Sequence, residues 1–188
     1  MKSSILRKTT LEGRIKLGVS STLVVYSIIA SIITRNFVFI PMLSSFGGDV
    51  SLMKKRDCFH NKSDKDFRTG VLFFMAAHIS YAMLMRTAES NWRIDVMLIA
   101  AMLLWFFALL GVNNPIITIA LYAVVLTLSA INMYHFNMVA FIGGMLFVLS
   151  DSLIGLFMIL KKDDIVSQIL IWVTYVPAQI LIITSFLL

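Results

Sequence analysis

Four polar side chains interrupt long apolar stretches of this chain. Asp49 follows Phe46-Gly47-Gly48, and His78 sits in Ala76-Ala77-His78-Ile79-Ser80-Tyr81. Asp151 closes Gly143-Gly144-Met145-Leu146-Phe147-Val148-Leu149-Ser150-Asp151, and Gln179 ends Tyr175-Val176-Pro177-Ala178-Gln179. Two carboxylates in different surroundings can divide acid and base work between them, and a histidine can tune or relay protons. Helical spacing gives these residues shared faces. Gly144, Phe147 and Asp151 follow i, i+3, i+7, Tyr175 and Gln179 are i, i+4, and His78 and Tyr81 are i, i+3. Gly144 permits close approach of a neighbouring helix. Pro177 cannot donate to a helix ladder and frees the carbonyl of Val173 as an acceptor.

The rest of the chain says what must position them. Of 188 residues, 59% are hydrophobic and 14% charged, and the mean hydropathy is +0.90. Soluble domains carry roughly 25% charged residues, so this chain has more apolar surface than a water-soluble core can absorb. Seven apolar stretches are evident: Leu17 to Thr34, Phe37 to Met53, Thr69 to Met85, Ile94 to Gly111, Ile116 to Tyr134, Asn137 to Leu160, and Ile165 to Leu188. Their length suits spans of roughly 20 residues each. Helix follows from the need to satisfy every backbone polar group inside lipid, and the strict alternation of a membrane β-barrel is absent. The expected fold is therefore all-α, a polytopic bundle of about seven transmembrane helices. A basic tail, residues 1–16, precedes a single transmembrane domain, residues 17–188. Val112-Asn113-Asn114-Pro115 reads as a turn with proline opening the fifth helix. No internal repeat of the inverted-repeat transporter kind is visible.

The net charge of +6 does not indicate a nucleic-acid binder, because the basic residues flank apolar segments instead of forming a face with interleaved aromatics. Seven alternating spans put thirteen of the sixteen Lys and Arg on one side and only Arg35, Arg86 and Arg93 on the other. The positive-inside bias then predicts a cytoplasmic N-terminus and an external C-terminus. Compactness suggests a bacterial cytoplasmic membrane. Cys58 is the one cysteine, which excludes an intrachain disulfide, a zinc finger and a CxxC site.

Depth separates the candidates. At about 1.5 Å per residue, His78 lies roughly 15 Å from the boundary at Arg68 and Asp151 roughly 13 Å from Lys161, with Asp49 shallower. An ionisable group at such depth is expensive and asks for a reason. Each also has a plain structural reading: Asp49 as an interfacial charge facing the basic loop, Asp151 as a buried hydrogen bond, His78 as a satisfied core histidine. Tyr175 and Gln179 can likewise serve as polar glue between helices.

The four elements, in this order, resemble the YhhN-like lysoplasmalogenase family. That family pattern is Gly-Asp closing one span, Ala-His-x-x-Tyr in the next, then Gly-Ala-x-Leu-Phe-x-x-Ser-Asp and Tyr-x-x-Ala-Gln-x-Leu-Ile. Here it is met by Gly48-Asp49, Ala77-His78-Ile79-Ser80-Tyr81, Gly143 to Asp151, and Tyr175 to Ile182, over roughly Lys16 to Leu188. Three departures stand out. Gly144 replaces alanine, Lys16-Leu17 stands where Lys-Pro is usual, and seven spans are found where eight are common.

The resemblance implies a membrane-embedded hydrolase that cleaves the vinyl ether of lysoplasmalogens to a fatty aldehyde and a glycerophospho-base. It implies Asp49, Asp151 and His78 as catalytic residues, with Tyr81, Ser150, Tyr175 and Gln179 positioning substrate or water. No cofactor and no metal are expected. Asp49, His78 and Asp151 offer three ligands to a metal only as a secondary reading, since no close-spaced motif such as HExxH supports it. The partners expected are a lysophospholipid substrate and membrane lipids, with no nucleic acid; a homodimer is compatible with such a chain. The alternative class is a non-enzymatic lipid carrier or small transporter lined by the same side chains, and a structural subunit of a larger complex is a third.

Overall fold

In a computed structural model, residues 2–53, 64–86, 91–110, 115–160 and 164–188 are described. Among these residues seven α-helices fall on the seven apolar stretches: α1 Lys2–Thr34, α2 Phe39–Met53, α3 Asp64–Leu84, α4 Asn91–Leu109, α5 Pro115–Phe136, α6 Met138–Ile159 and α7 Ile165–Thr184. Among the described residues there is no strand. Cys58, His60, Lys161, Lys162, most of the basic loop and the Val112-Asn113-Asn114 turn lie outside the described residues.

Five of the helices are long and apolar enough to cross a membrane: Gly13–Thr34 of α1, Phe67–Leu84 of α3, Ile117–Phe136 of α5, Met138–Phe157 of α6, and α7. The chain is an integral, multi-pass membrane protein. Its outer surface agrees, because Ile32, Met102 and Val173 are 73%, 68% and 62% exposed, as expected of side chains that face lipid. Two helices fall short of the expected spans. With 15 residues, α2 is only about 22 Å long, less than a hydrocarbon core of roughly 30 Å. In α4 the first turns carry Asn91, Arg93 and Asp95. At the other extreme, α1 runs unbroken from Lys2 through the basic residues to Thr34.

The helices pack as a ring. Consecutive contacts run α1–α2, α2–α3, α3–α5, α5–α6 and α6–α7, and α7 closes back on α1. Outside the ring, α4 packs on α3 and α5: Ile94, Met97, Ala100 and Leu104 interlock with Val71, Met75, Ile79 and Ala82 of α3 and Val125 of α5. The connections are tight. Arg35 adopts a left-handed φ of 55°, the usual conformation of the residue that ends a helix, and the Ser31 hydroxyl accepts from Phe39 N at 2.9 Å to close the α1–α2 turn. A single non-helical residue, Asn137, joins α5 to α6. Its side-chain oxygen caps α6 at Ala140 N, 2.8 Å away, and its amide donates to Ser185 O at 3.0 Å. Asp164 caps α7 by accepting from Ser167 N at 2.8 Å.

Two pairs of glycines set how closely the ring closes. A Cβ on Gly48 would lie 2.7 Å from the Phe74 ring, and one on Gly47 2.9 Å from Phe73, so α2 rests directly against α3. On α6 the adjacent glycines differ. A Cβ at Gly143 would meet Ala178 O and Ile182 N of α7 at 3.0 Å, whereas one at Gly144 would meet the Met133 sulfur at 2.6 Å. Backbone cannot step aside, but a thioether can swing. Gly143→Ala is therefore expected to destabilise by an amount on the order of 1–3 kcal/mol, while Gly144→Ala leaves the protein close to wild type. Thermal unfolding of both variants in detergent checks this, and equal effects would contradict it.

Candidate active site

Every helix of the ring contributes a polar or aromatic side chain to its interior. The first cluster centres on Asp49, which α2 presents only 8% exposed. Its Oδ2 accepts from Ser20 Oγ of α1 at 2.6 Å and from Tyr175 OH of α7 at 2.9 Å. The network continues along α7, where Gln179 Nε2 donates to Tyr175 OH at 3.3 Å. Gln179 Oε1 in turn accepts from Tyr81 OH of α3 at 3.1 Å. Four helices thus tie their polar groups into one line, Tyr81–Gln179–Tyr175–Asp49–Ser20. The i, i+4 spacing of Tyr175 and Gln179 makes this possible, because both side chains leave the same face of α7. Both donors to the carboxylate aim at Oδ2, and Oδ1 has no side-chain partner among the described residues.

Asp151 on α6 forms a second cluster. Its Oδ2 accepts a short hydrogen bond from Tyr122 OH of α5, and the residue is half-buried. Asp49 and Asp151 thus belong to separate hydrogen-bond clusters. Each is held by a tyrosine from a different helix.

His78 lies between the clusters and bonds to neither carboxylate. Its Nδ1 is 3.0 Å from Ser129 Oγ of α5, while Nε2 is buried without a partner among the described residues. The imidazole is set by rings. Phe147 stands edge-on to it with centroids 4.5 Å apart at 89°, and Tyr122 and Tyr81 lie at 6.3 Å and 6.4 Å. Phe147, 0% exposed, also packs on Tyr175 at 5.4 Å and on Phe74 at 6.0 Å. The i, i+3, i+7 face of α6 thus places Gly144 against α5, Phe147 at the centre of the site and Asp151 beside Tyr122.

Of the residues singled out from sequence, Asp49, Tyr81, Tyr175 and Gln179 share one network, and Asp151 and His78 stand next to it. Ser150 does not join: its hydroxyl donates to Ile171 O at 3.3 Å, a tie between α6 and α7. Three residues were missed by the sequence reading: Ser20, Tyr122 and Ser129. A faint signal existed for two of them, since Tyr122 and Ser129 are seven residues apart in the most apolar part of α5 and so share a face. Among the described residues no three of His, Cys, Asp and Glu are grouped to hold a metal ion, so Asp49, His78 and Asp151 do not form the three-ligand set weighed above.

A closed ring of membrane helices around two tyrosine-held carboxylates defines a polytopic membrane protein with an intramembrane polar site. The model of the YhhN family matches residues 15–186, and the chain belongs to that family. No curated protein and no solved structure matches it.

Proposed function

We propose that this protein is a membrane-embedded hydrolase that opens the vinyl ether of lysoplasmalogens, releasing a fatty aldehyde and a glycerophospho-base. The observation that carries the reading is the pair of intramembrane carboxylates, Asp49 and Asp151, each held by a tyrosine and both turned toward one ring interior. Membership of the YhhN family supports it.

The chemistry needs few parts. An acid protonates the β-carbon of the vinyl ether, the resulting oxocarbenium ion is captured by water, and the hemiacetal collapses to aldehyde and alcohol. That calls for a general acid, a base for the water and negative charge near the cation. Asp151 is assigned as the proton donor, with Tyr122 fixing its orientation through Oδ2. Asp49 is assigned to the water: Ser20 and Tyr175 immobilise Oδ2, which leaves Oδ1 as the acceptor that orients and deprotonates it. Tyr81 and Gln179 brace Tyr175 and offer polar atoms to the glycerol oxygens. His78 has its ring held by Ser129 and Phe147, and its role is to tune the polarity of the space between the two clusters. Phe74, Phe147 and Tyr175 give the reacting alkenyl carbons an apolar wall. A lipid-embedded site suits a substrate whose chain stays in the bilayer while its headgroup stays near the interface. With all seven helices crossing, the distribution of Lys and Arg makes that interface the cytoplasmic one.

The test is aldehyde release from a lysoplasmalogen by purified protein in detergent, with the saturated 1-alkyl analogue as control. Aldehyde from the alkenyl lipid alone is the expected result. Well-folded protein that releases none would turn the assignment toward the second reading, a lipid carrier lined by the same side chains.

A further inference from the structure

The stripe of α7 that carries Tyr175 and Gln179 continues toward the start of the helix through Trp172 and Gln168, and α1 meets it there with a cation. Lys16 Nζ donates a short hydrogen bond to Gln168 Oε1 and lies 5.5 Å from the centroid of the Trp172 ring. Trp172 packs edge-on against Tyr175, with centroids 5.5 Å apart at 74°, and Tyr175 donates to Asp49. On α1 itself, Lys16 is one turn before Ser20, the other donor to Asp49. Lys16 is therefore on the same face as the site, displaced toward the end of the bundle where α1 enters the apolar region.

We propose that Lys16, framed by Gln168 and Trp172, is the site that binds the phosphodiester of the substrate headgroup. This rests on the hydrolase reading and adds the residue that sets its register. In a lysoplasmalogen a three-carbon glycerol separates the ether oxygen from the phosphate, a span of roughly 6 Å, about the rise of one helical turn. One helical turn is also the offset between Ser20, which touches Asp49, and Lys16. A phosphate on Lys16 thus leaves the vinyl ether at the carboxylates and sends the alkenyl chain along the aromatic wall of Phe74 and Phe147. Lys16 is half-buried and its ammonium lies between an indole and an amide, where a charged hydrogen bond to phosphate is stronger than in open water. Trp172 suits this position, since indoles favour the boundary between headgroups and lipid tails.

Binding of two uncleavable ligands tests the assignment without relying on turnover: a 1-alkyl-glycerophosphocholine and the matching 1-alkylglycerol, which lacks the phosphate. Wild type is expected to bind the phospholipid more tightly than the 1-alkylglycerol by about tenfold or more, read by calorimetry or thermal shift in detergent. Lys16→Met should erase that preference while leaving affinity for the alkylglycerol unchanged. Lys16→Arg should keep it. Gln168→Leu, which removes the tie but not the cation, should also keep most of it. Inorganic phosphate alone should give no shift at the same concentration. The inference is overturned if wild type does not discriminate between the ligands, if Lys16→Met still does, or if it weakens both equally. It is also overturned if free phosphate binds by itself. Because no bond is broken here, absent aldehyde release would sink the hydrolase reading through a different measurement.

Discussion

Asp49→Asn should abolish aldehyde release, with kcat down by about 10²–10⁴-fold, while the protein still folds. The size is that expected for removal of a positioned acid or base. The substitution keeps the shape of the side chain and an oxygen able to accept from Ser20 and Tyr175, whose hydroxyls donate at 2.6 Å and 2.9 Å. Packing against α1 and α7 is thus preserved, and what is lost is the capacity to take a proton from water. The discriminating result is a fall in kcat with little change in KM, the signature of a group that acts on the transition state. Full turnover in a well-folded variant would remove Asp49 from the chemistry. A collapse in thermal stability with partial activity would make it a structural hydrogen-bond acceptor that ties α1 and α7 to α2 and nothing more.

The second large effect belongs to the Asp151–Tyr122 pair. Asp151→Asn should likewise reduce kcat by about 10²–10⁴-fold. Tyr122→Phe keeps the ring that lies 6.3 Å from His78 and deletes only the hydroxyl that holds Oδ2, so a loss of about tenfold is expected, in the range of one buried hydrogen bond. If the tyrosine acts solely through the carboxylate, the double variant should be no slower than Asp151→Asn alone, because groups that act as a unit are not additive. Additive losses would mean that Tyr122 touches the substrate on its own account. These variants, assayed beside wild type on the same lipid, separate a two-carboxylate hydrolase from a one-carboxylate site with a structural neighbour.

Much of the fold was legible because a bilayer imposes a simple rule: length of apolar run becomes helix, and polar interruptions mark its ends. The seven stretches and seven helices agree to within a few residues from α2 to α6. Periodicity on α6 and α7 correctly grouped Gly144, Phe147 and Asp151, and Tyr175 with Gln179. Ser20, Tyr122 and Ser129 stayed hidden for a physical reason. Hydroxyl side chains inside membrane helices satisfy themselves locally, as Thr22 does with Gly18 O, Ser27 with Val24 O and Thr34 with Ala30 O. A serine that reaches another helix therefore looks in sequence like its many neighbours that do not. Ser150 is the converse case: next to Asp151, it drew attention by position, yet its hydroxyl faces the backbone of α7. The ring order, with α4 left outside, was not readable at all, since every helix is apolar on most faces and no stripe says which neighbour it faces.

The ring also has a history, because it is made in order. Asp49 enters the bilayer with the second helix, whereas Tyr175, its partner 126 residues later, belongs to the last. For most of synthesis the carboxylate waits without that donor, in a helix too short to cross alone. Its other donor comes from an earlier part of the chain: Ser20 on α1 offers a hydroxyl to Asp49 across a separation of 29 residues. The glycine face of α2 then lets α3 seat against it, burying the acid between its neighbours until α7 arrives. The Asp49 network is complete only when the final helix closes the circle, so a chain that stops before α7 carries the acid without its Tyr175 donor.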